Sequence, residues 1–207
     1  PMQNLAAADL NGDGRIDVVT PAHDRQAMTV LLADGAGSFA SAPGSPVRVH
    51  GGFTTVSLGD AEGDGDVDVF AVHRSDQSTQ YKTDALSLLL NDGAGRFTHA
   101  PASPYTDLPD RSNDLALGDF DGDGLLDVAV LGETDAELAL LRGTQDGLQH
   151  VGRQRFDGRV RGIAAGDLDG DGRAELLASD HGAGRVRMLR LRADAAEDGE
   201  GPAAKTE

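Results

Sequence analysis

The sequence predicts an all-β protein, a β-propeller made of four-stranded blades. Three observations carry that expectation. A nine-residue acidic pattern recurs four times in 207 residues, at intervals of 51, 59 and 48 residues, which suit one four-stranded unit per repeat and exceed the roughly 20 to 30 residues of a solenoid coil. Short alternating apolar runs flank every copy, as half-buried strands require. Glycine is abundant at 28 residues, which marks tight turns rather than long helices.

The acidic pattern reads DLNGDGRID from Asp9, DAEGDGDVD from Asp60, DFDGDGLLD from Asp119 and DLDGDGRAE from Asp167. A first strand precedes each copy, with apolar positions at Leu5 and Ala7, Val56 and Leu58, Leu115 and Leu117, and Ile163 and Ala165. A second strand follows it: IDVVT from Ile16, VDVFAV from Val67, LDVAVL from Leu126 and AELLAS from Ala174. The third strands are MTVLLA from Met28, LSLLL from Leu86, ELALL from Glu137 and VRMLRL from Val186. Glycine turns, DGAGSF from Asp34 and DGAGRF from Asp92, then lead into fourth strands opened by Phe39 and Phe97, because such turns supply the positive φ that a hairpin needs. The third repeat replaces this turn with TQDGLQ, and no fourth strand is legible in the fourth repeat. The expected blades are 3–50, 53–110, 112–158 and 161–192. Residues 193–207 are small and charged, cannot bury a face, and read as a flexible acidic tail.

Composition narrows the function. With 39% hydrophobic residues, 4% aromatic and no Trp, a core is affordable but must be aliphatic. The 35 acidic residues against 18 basic ones give a net charge of -17, which opposes nucleic acid and anionic membrane surfaces. No apolar run is long enough to span a bilayer. Cysteine is absent, so neither a disulfide nor a thiolate metal site is available. The chain starts at Pro1 without an initiator Met or a signal peptide and reads as a processed or truncated product.

Sixteen of the acidic residues lie inside the four patterns, and crowding like charges is unfavourable without a counter-ion. Calcium takes six to eight oxygen ligands, which alternate positions of a tightly coiled loop can supply. Side chains at positions 1, 3 and 5, a carbonyl at position 7 and a carboxylate at position 9 are the expected donors. They are Asp9, Asn11, Asp13, Arg15 and Asp17; Asp60, Glu62, Asp64, Asp66 and Asp68; Asp119, Asp121, Asp123, Leu125 and Asp127; and Asp167, Asp169, Asp171, Arg173 and Glu175. Arg15, Asp66, Leu125 and Arg173 would offer only their carbonyls. Gly14, Gly65, Gly124 and Gly172 at position 6 permit the sharp turn, and the apolar position 8, Ile16, Val67, Leu126 or Ala174, would anchor the loop to the core. Up to four calcium ions are thus expected, the third loop with its four Asp residues binding tightest. An EF-hand does not fit, because position 12 is Thr20, Ala71, Val130 or Ala178 within β-type runs, where that motif needs a bidentate acid and flanking helices.

Strand, DxDGDGxxD loop, strand and DGAGxF hairpin together resemble the FG-GAP/VCBS repeat family, related to the calcium-binding blades of the integrin alpha-subunit propeller. The resemblance covers residues 3 to 192. It implies radial blades with the first strand innermost, calcium in the loop after it, a larger ring of seven or eight blades, and an extracellular or cell-surface setting. The Phe-Gly and Gly-Ala-Pro words of the integrin type are missing, which places the chain nearer the VCBS variety, and Glu62 and Glu175 stand where the family has Asp.

No nucleophile elbow, HExxH helix or phosphate loop is present, so the chain is expected to be no enzyme. His23, His73 and His181 fall near the ends of the second strands, with Arg25, Arg74, Tyr105 and Arg111 in neighbouring connections. They read as solvated strand ends, with a ligand-binding face as the sharper alternative. Three functions stay open: a calcium-stabilised module that binds protein or carbohydrate in adhesion, a non-catalytic or substrate-shaping part of a secreted polysaccharide lyase or hydrolase, and a pure scaffold.

Overall fold

The computed structural model describes residues 5–22, 26–49, 52–75, 83–134 and 136–190. The expected tail, His23 and Arg25 lie outside them. Every regular element among the described residues is a strand, and the strands form antiparallel sheets in which, β5 (Val47–Arg48) apart, chain neighbours are sheet neighbours.

Sheet 1 contains β1 (Ala6–Ala8), β2 (Asp17–Ala22), β3 (Ala27–Ala33) and β4 (Phe39–Ser41), with β5 (Val47–Arg48) also pairing β3. Sheet 2 contains β6 (Gly52–Gly59), β7 (Asp68–Arg74), β8 (Ala85–Asn91) and β9 (Phe97–His99). Sheet 3 contains β10 (Ser112–Gly118), β11 (Asp127–Gly132), β12 (Glu137–Thr144) and β13 (Gly147–Arg155). Sheet 4 has three strands among the described residues: β14 (Val160–Gly166), β15 (Glu175–Asp180) and β16 (Arg185–Leu189).

The short fifth strand has a local cause. After β4 the chain leaves the ladder through Ala42 to Ser45, whose hydroxyl accepts the Val30 amide at 2.9 Å, and then rejoins it at Val47 opposite Met28. Sheet 2 repeats this detour: Ser103 Oγ accepts the Leu88 amide at 3.1 Å and Tyr105 bridges Leu86. The matching APGSP and APASP words therefore encode a break in the outer strand rather than its end. In sheet 3 the TQDGLQ segment makes a tight hairpin, with Thr144 paired to Gly147, and β13 runs unbroken.

Core formation follows from both faces of a strand being apolar. Val69 and Ala71 of β7 face sheet 1, joining Leu10, Val19, Met28 and Val30, while Phe70 and Val72 face sheet 3. Sheet 3 repeats the division, with Val128 and Val130 toward sheet 2 and Ala129 and Leu131 toward sheet 4. Each inter-sheet layer is therefore built by two successive repeats, and a one-residue slip in register would exchange the two layers. Polar ties reinforce the stacking. Asp114 Oδ2 on β10 accepts the Ile163 amide of β14 at 2.9 Å, and Thr54 Oγ1 donates to the Ser112 carbonyl at 3.1 Å.

Two apolar expectations fail in sheet 1. Leu5 and Ala7 are exposed, and Ala6 and Ala8 turn inward instead. Ile16 is exposed too, although its counterparts are anchored: the side chain of Leu126 packs on Gly59 of sheet 2, and that of Ala174 on Gly118 of sheet 3. Position 8 therefore rests on the sheet before its own, and no described sheet precedes sheet 1.

Candidate metal centre

The four acidic patterns form the connections between the first two strands of each sheet: loop 1 (9–17), loop 2 (60–68), loop 3 (119–127) and loop 4 (167–175). Glycines at positions 4 and 6 adopt positive φ in every loop, for example +81° at Gly14 and +89° at Gly124. A Cβ at Gly14, Gly65, Gly124 or Gly172 would meet nothing within 4 Å. Backbone conformation, not space, is what demands glycine there.

The carboxylates template the turn. Position 1 accepts the position-6 amide in all loops, at 2.7 Å for Asp9, 2.9 Å for Asp60, 2.8 Å for Asp119 and 3.0 Å for Asp167. Position 5 accepts the position-7 amide at 2.9 Å in each, from Asp13, Asp64, Asp123 and Asp171. The position-9 acids are buried. They accept the position-2 amide through one oxygen, at 3.0 Å for Asp17, 2.8 Å for Asp68 and 2.9 Å for Asp127 and Glu175. Asp17, Asp68 and Asp127 use the other oxygen to accept an amide of the third strand, from Ala33, Asn91 and Gly143, each at 2.8 Å. Position 9 is thus the clasp that joins loop, second strand and third strand.

In loops 3 and 4 this scaffold makes carboxylates converge. Oxygens of Asp119, Asp121 and Asp127 lie within 4.8 Å of one another, and so do those of Asp167, Asp169 and Glu175. These are positions 1, 3 and 9, the donors from the two ends and the middle of the loop. Asp123 and Asp171 stay out of the groups and serve their turns. Among the described residues, loops 1 and 2 form no such trio of acids. In loop 1, Asn11 takes position 3 and donates through Nδ2 to Asp13 at 2.9 Å. In loop 2, Glu62 is pushed above the usual carboxylate range by burial and by its hydrogen bond and charge contact with Asp64.

Electrostatics bear on loop 3 in particular, although burial also raises Asp68 in loop 2. Burial pushes Asp127 up from 3.8 to about 6 despite the amides of Gly143 and Phe120, and the charges of Asp121 and Asp123 add to the rise. The ionised form is therefore under-compensated by protein groups, which is the condition a divalent cation relieves. Some compensation comes from arginine. Arg142 Nε contacts Asp121 Oδ2 at 2.6 Å, and Arg190 pairs with Asp169 and, at 3.1 Å, with Glu175. The Arg190 hydrogen bond is the main reason Asp169 is lowered. Oxygen-only donors, several of them anionic, suit a hard cation such as calcium and disfavour zinc or copper.

The position-7 side chains do more than was expected of carbonyl donors. Arg15 pairs with Asp13 and donates through Nε to the Ala33 carbonyl at 3.0 Å. Leu125 and Arg173 each reach back to the preceding loop, against Gly63 and Gly122. Asn91, which sequence reading passed over, ties loops 1 and 2 together by donating to the carbonyls of Leu10 at 2.9 Å and Val67 at 3.1 Å.

At the opposite strand ends, His73 is buried with Nε2 2.8 Å from Ser87 Oγ, and His181 is exposed in the turn after β15. Tyr105 is structural, its hydroxyl accepting the Leu148 amide at 3.0 Å. Arg74 and Arg111 converge on Glu133, at 3.0 and 3.1 Å, with Arg161 3.8 Å from its other oxygen. Burial works to raise Glu133, but the Arg111 and Arg74 charges outweigh it and hold the group low. Arg111, Glu133, Arg159 and Arg161 line a cavity of about 410 Å³ between sheets 3 and 4.

Several solved structures superpose on nearly the whole chain. A lectin of Agrocybe aegerita recognising non-reducing terminal N-acetylglucosamine matches 99% of it with a TM-score of 0.57 at 16% identity. The rhamnogalacturonan lyase of Bacillus licheniformis matches 98% with a TM-score of 0.53 at 12% identity, and rhamnogalacturonan lyase YesW 98% with 0.52 at 13%. The matched part is 52% of the lectin and 48% of each lyase, so the chain spans about half the length of these proteins. Their likeness is one of β-propeller-like fold. No curated protein sequence matches the chain. The FG-GAP-like repeat matches it three times, over residues 9–71, 60–130 and 119–178, a span that holds all four acidic loops, and the chain belongs to that repeat family.

Proposed function

We propose that this chain is a calcium-binding β-propeller module that binds carbohydrate in an extracellular setting and has no catalytic role of its own. One observation carries the calcium reading: positions 1, 3 and 9 meet in loop 3 as Asp119, Asp121 and Asp127, and the same positions meet in loop 4 as Asp167, Asp169 and Glu175. A polar turn needs only the amide-accepting oxygens and has no use for three convergent carboxylates. The ions would brace the loops, and through Asp127 and Glu175 the strands behind them. In this reading the four sheets are part of a ring that further blades complete.

Carbohydrate is favoured over protein as the ligand because the lectin and both lyases act on sugars. The cavity lined by Arg111, Arg159 and Arg161 is the candidate seat, and guanidinium forks suit an acidic sugar carboxylate. Calorimetry with calcium tests the first half: two or more binding events are expected, and none in chelator-stripped protein would refute it. A glycan array tests the second, with wild type retaining acidic glycans that Arg161→Ala releases. The lyase likeness favours one second reading, a substrate-shaping part of a polysaccharide lyase. On that reading the chain retains acidic polysaccharide without turning it over, and turnover by the chain alone would refute it.

A further inference from the structure

The cavity between sheets 3 and 4 is an outlier in charge. The chain carries 35 acidic residues against 18 basic ones, and most of its described arginines sit against a carboxylate, as Arg142 does on Asp121, Arg153 on Glu137 and Arg187 on Asp180. The described residues lining the cavity reverse that balance, with Arg111, Arg159 and Arg161 around a single acid, Glu133. Among the described residues Arg159 enters no ion pair, and Arg161 reaches Glu133 Oε1 only at 3.8 Å. Two guanidinium groups therefore line this space with donors to spare.

Glu133 itself is used unequally. Oε2 accepts Arg74 Nη2 at 3.0 Å and Arg111 Nε at 3.2 Å, with Arg111 Nη2 3.1 Å away, whereas Oε1 has no hydrogen bond among the described residues. Backbone ties fix the surroundings. Arg111 sits at a φ of +57°, a conformation that non-glycine residues rarely take, and its carbonyl accepts both the Glu133 amide at 3.1 Å and Arg74 Nη2 at 3.2 Å. The Arg159 carbonyl is tied in the same way, by the His181 amide at 2.8 Å. Burial works against the charge on Glu133, but Arg111 and Arg74 keep it ionised, so Oε1 can accept a hydrogen bond and cannot donate one.

We infer that the cavity recognises a hydroxy acid, a sugar whose carboxylate is flanked by a free hydroxyl: Arg159 and Arg161 take the carboxylate, and Glu133, held by Arg74 and Arg111, takes the hydroxyl through Oε1. The inference rests on the carbohydrate reading of this cavity and narrows it from acidic glycans at large to uronic acids. Guanidinium forks match a carboxylate, and a fixed carboxylate acceptor beside them demands a donor from the ligand. A neutral sugar satisfies Glu133 and leaves the arginines unused, while a ligand with a second anion at that point meets like charge. At about 410 Å³ the cavity lies in the range of small-molecule sites, about 300–1,000 Å³.

The experiment is calorimetry of the chain, in calcium, with trigalacturonic acid and with its O-methylated form, which keeps the carboxylates and has no hydroxyl to donate. Wild type is expected to prefer the free-hydroxyl form by at least about tenfold, the effect of one hydrogen bond to a charged group. Glu133→Ala is expected to lose that preference with an unchanged circular dichroism spectrum. Glu133→Gln, whose neutral oxygen accepts more weakly, repeats the test should the first variant lose its fold. Arg159→Ala is expected to weaken both forms by the same factor, because it acts on the carboxylate that they share. Equal binding of the two forms by wild type, or a preference that survives Glu133→Ala, overturns the inference and leaves the carbohydrate reading standing. No binding of trigalacturonic acid by a chain that still retains other acidic glycans on an array also overturns it alone; a chain that retains neither loses the carbohydrate reading as well.

Discussion

Replacing Asp127 with Asn separates a metal ligand from a structural clasp. Asp127 accepts the Phe120 and Gly143 amides through its two oxygens, and Asn offers a single acceptor oxygen. One buried amide then loses its partner, at about 1–3 kcal/mol. Against that, the rise of Asp127 from 3.8 to about 6 corresponds to about 3 kcal/mol opposing the ionised form at neutral pH. Without calcium the two effects largely cancel, so wild type and variant should unfold within about 1–2 kcal/mol of each other. Calcium breaks the balance. At about 100 times Kd, one site stabilises the wild type by about 2.7 kcal/mol, and the variant forgoes most of it. For a chain of this length that separates the melting temperatures by about 5–10 °C.

The assay is a pair of melts, in chelator and in calcium. Asp114→Asn serves as the control, since Asp114 is a half-buried carboxylate with two amide partners outside the loops. Equal gaps between wild type and Asp127→Asn in the two conditions would refute the ligand assignment. The pH dependence supplies a second check with a definite sign. Because the folded group binds its proton more tightly than the unfolded one, its contribution to stability in chelator is complete below pH 3.8. It is lost as pH rises toward about 6. That loss should be missing from Asp127→Asn, and saturating calcium, which holds the ionised form, should suppress it in the wild type.

Arg142 competes for Asp121 across a partly exposed contact, so Arg142→Gln should tighten calcium at loop 3 by up to about fivefold; calorimetry showing weaker binding would reverse that assignment. Asp119→Ala should remove one ion, the tightest, and leaving that binding event intact would exclude loop 3 as the strongest site. Asn91→Ala removes two donated bonds between loops 1 and 2 and should lower stability by about 1–3 kcal/mol, by the same amount in calcium and in chelator. Gly143→Ala places a Cβ 2.4 Å from the Leu126 carbonyl oxygen; it should destabilise far more than a change at the open Gly166, and equal melts would show that β12 can yield there.

What could be read from sequence was what depends on local spacing. The loops were legible because a carboxylate at every second residue around paired glycines fits only a coiled, solvent-facing turn, and the strand order followed from DGAG words that admit one kind of hairpin. What escaped was set across repeats. Nothing near Ile16 says that position 8 rests on the preceding sheet. The role of Asn91 depends on a carbonyl 81 residues away. The two detours into β5 and Tyr105 were visible as shared words, but their meaning depends on Ser45 and Ser103 reaching back to the ladder. Arg142 and Arg190 come from the third strand or just after it, where no feature of the loop motif points.

The loops hold their shape through backbone amides, and that bears on how a cation would bind. Backbone amides of the loop itself hold the carboxylates at positions 1, 5 and 9, so the chain contributes part of the ordering that a site needs. Preorganisation of that kind favours affinity. Two features act against it. Arg142 must leave Asp121, and Arg190 must leave Asp169 and Glu175, before those oxygens face the ion fully. The loops also lack the bidentate twelfth-position acid of the tight calcium motifs. The balance points to sites in the extracellular range, on the order of 10⁻⁴ to 10⁻³ M, filled where calcium is plentiful and emptied where it is scarce. Titration should therefore give a midpoint in that range, shifted to lower calcium by Arg142→Gln; a nanomolar midpoint would mean that the arginines do not compete.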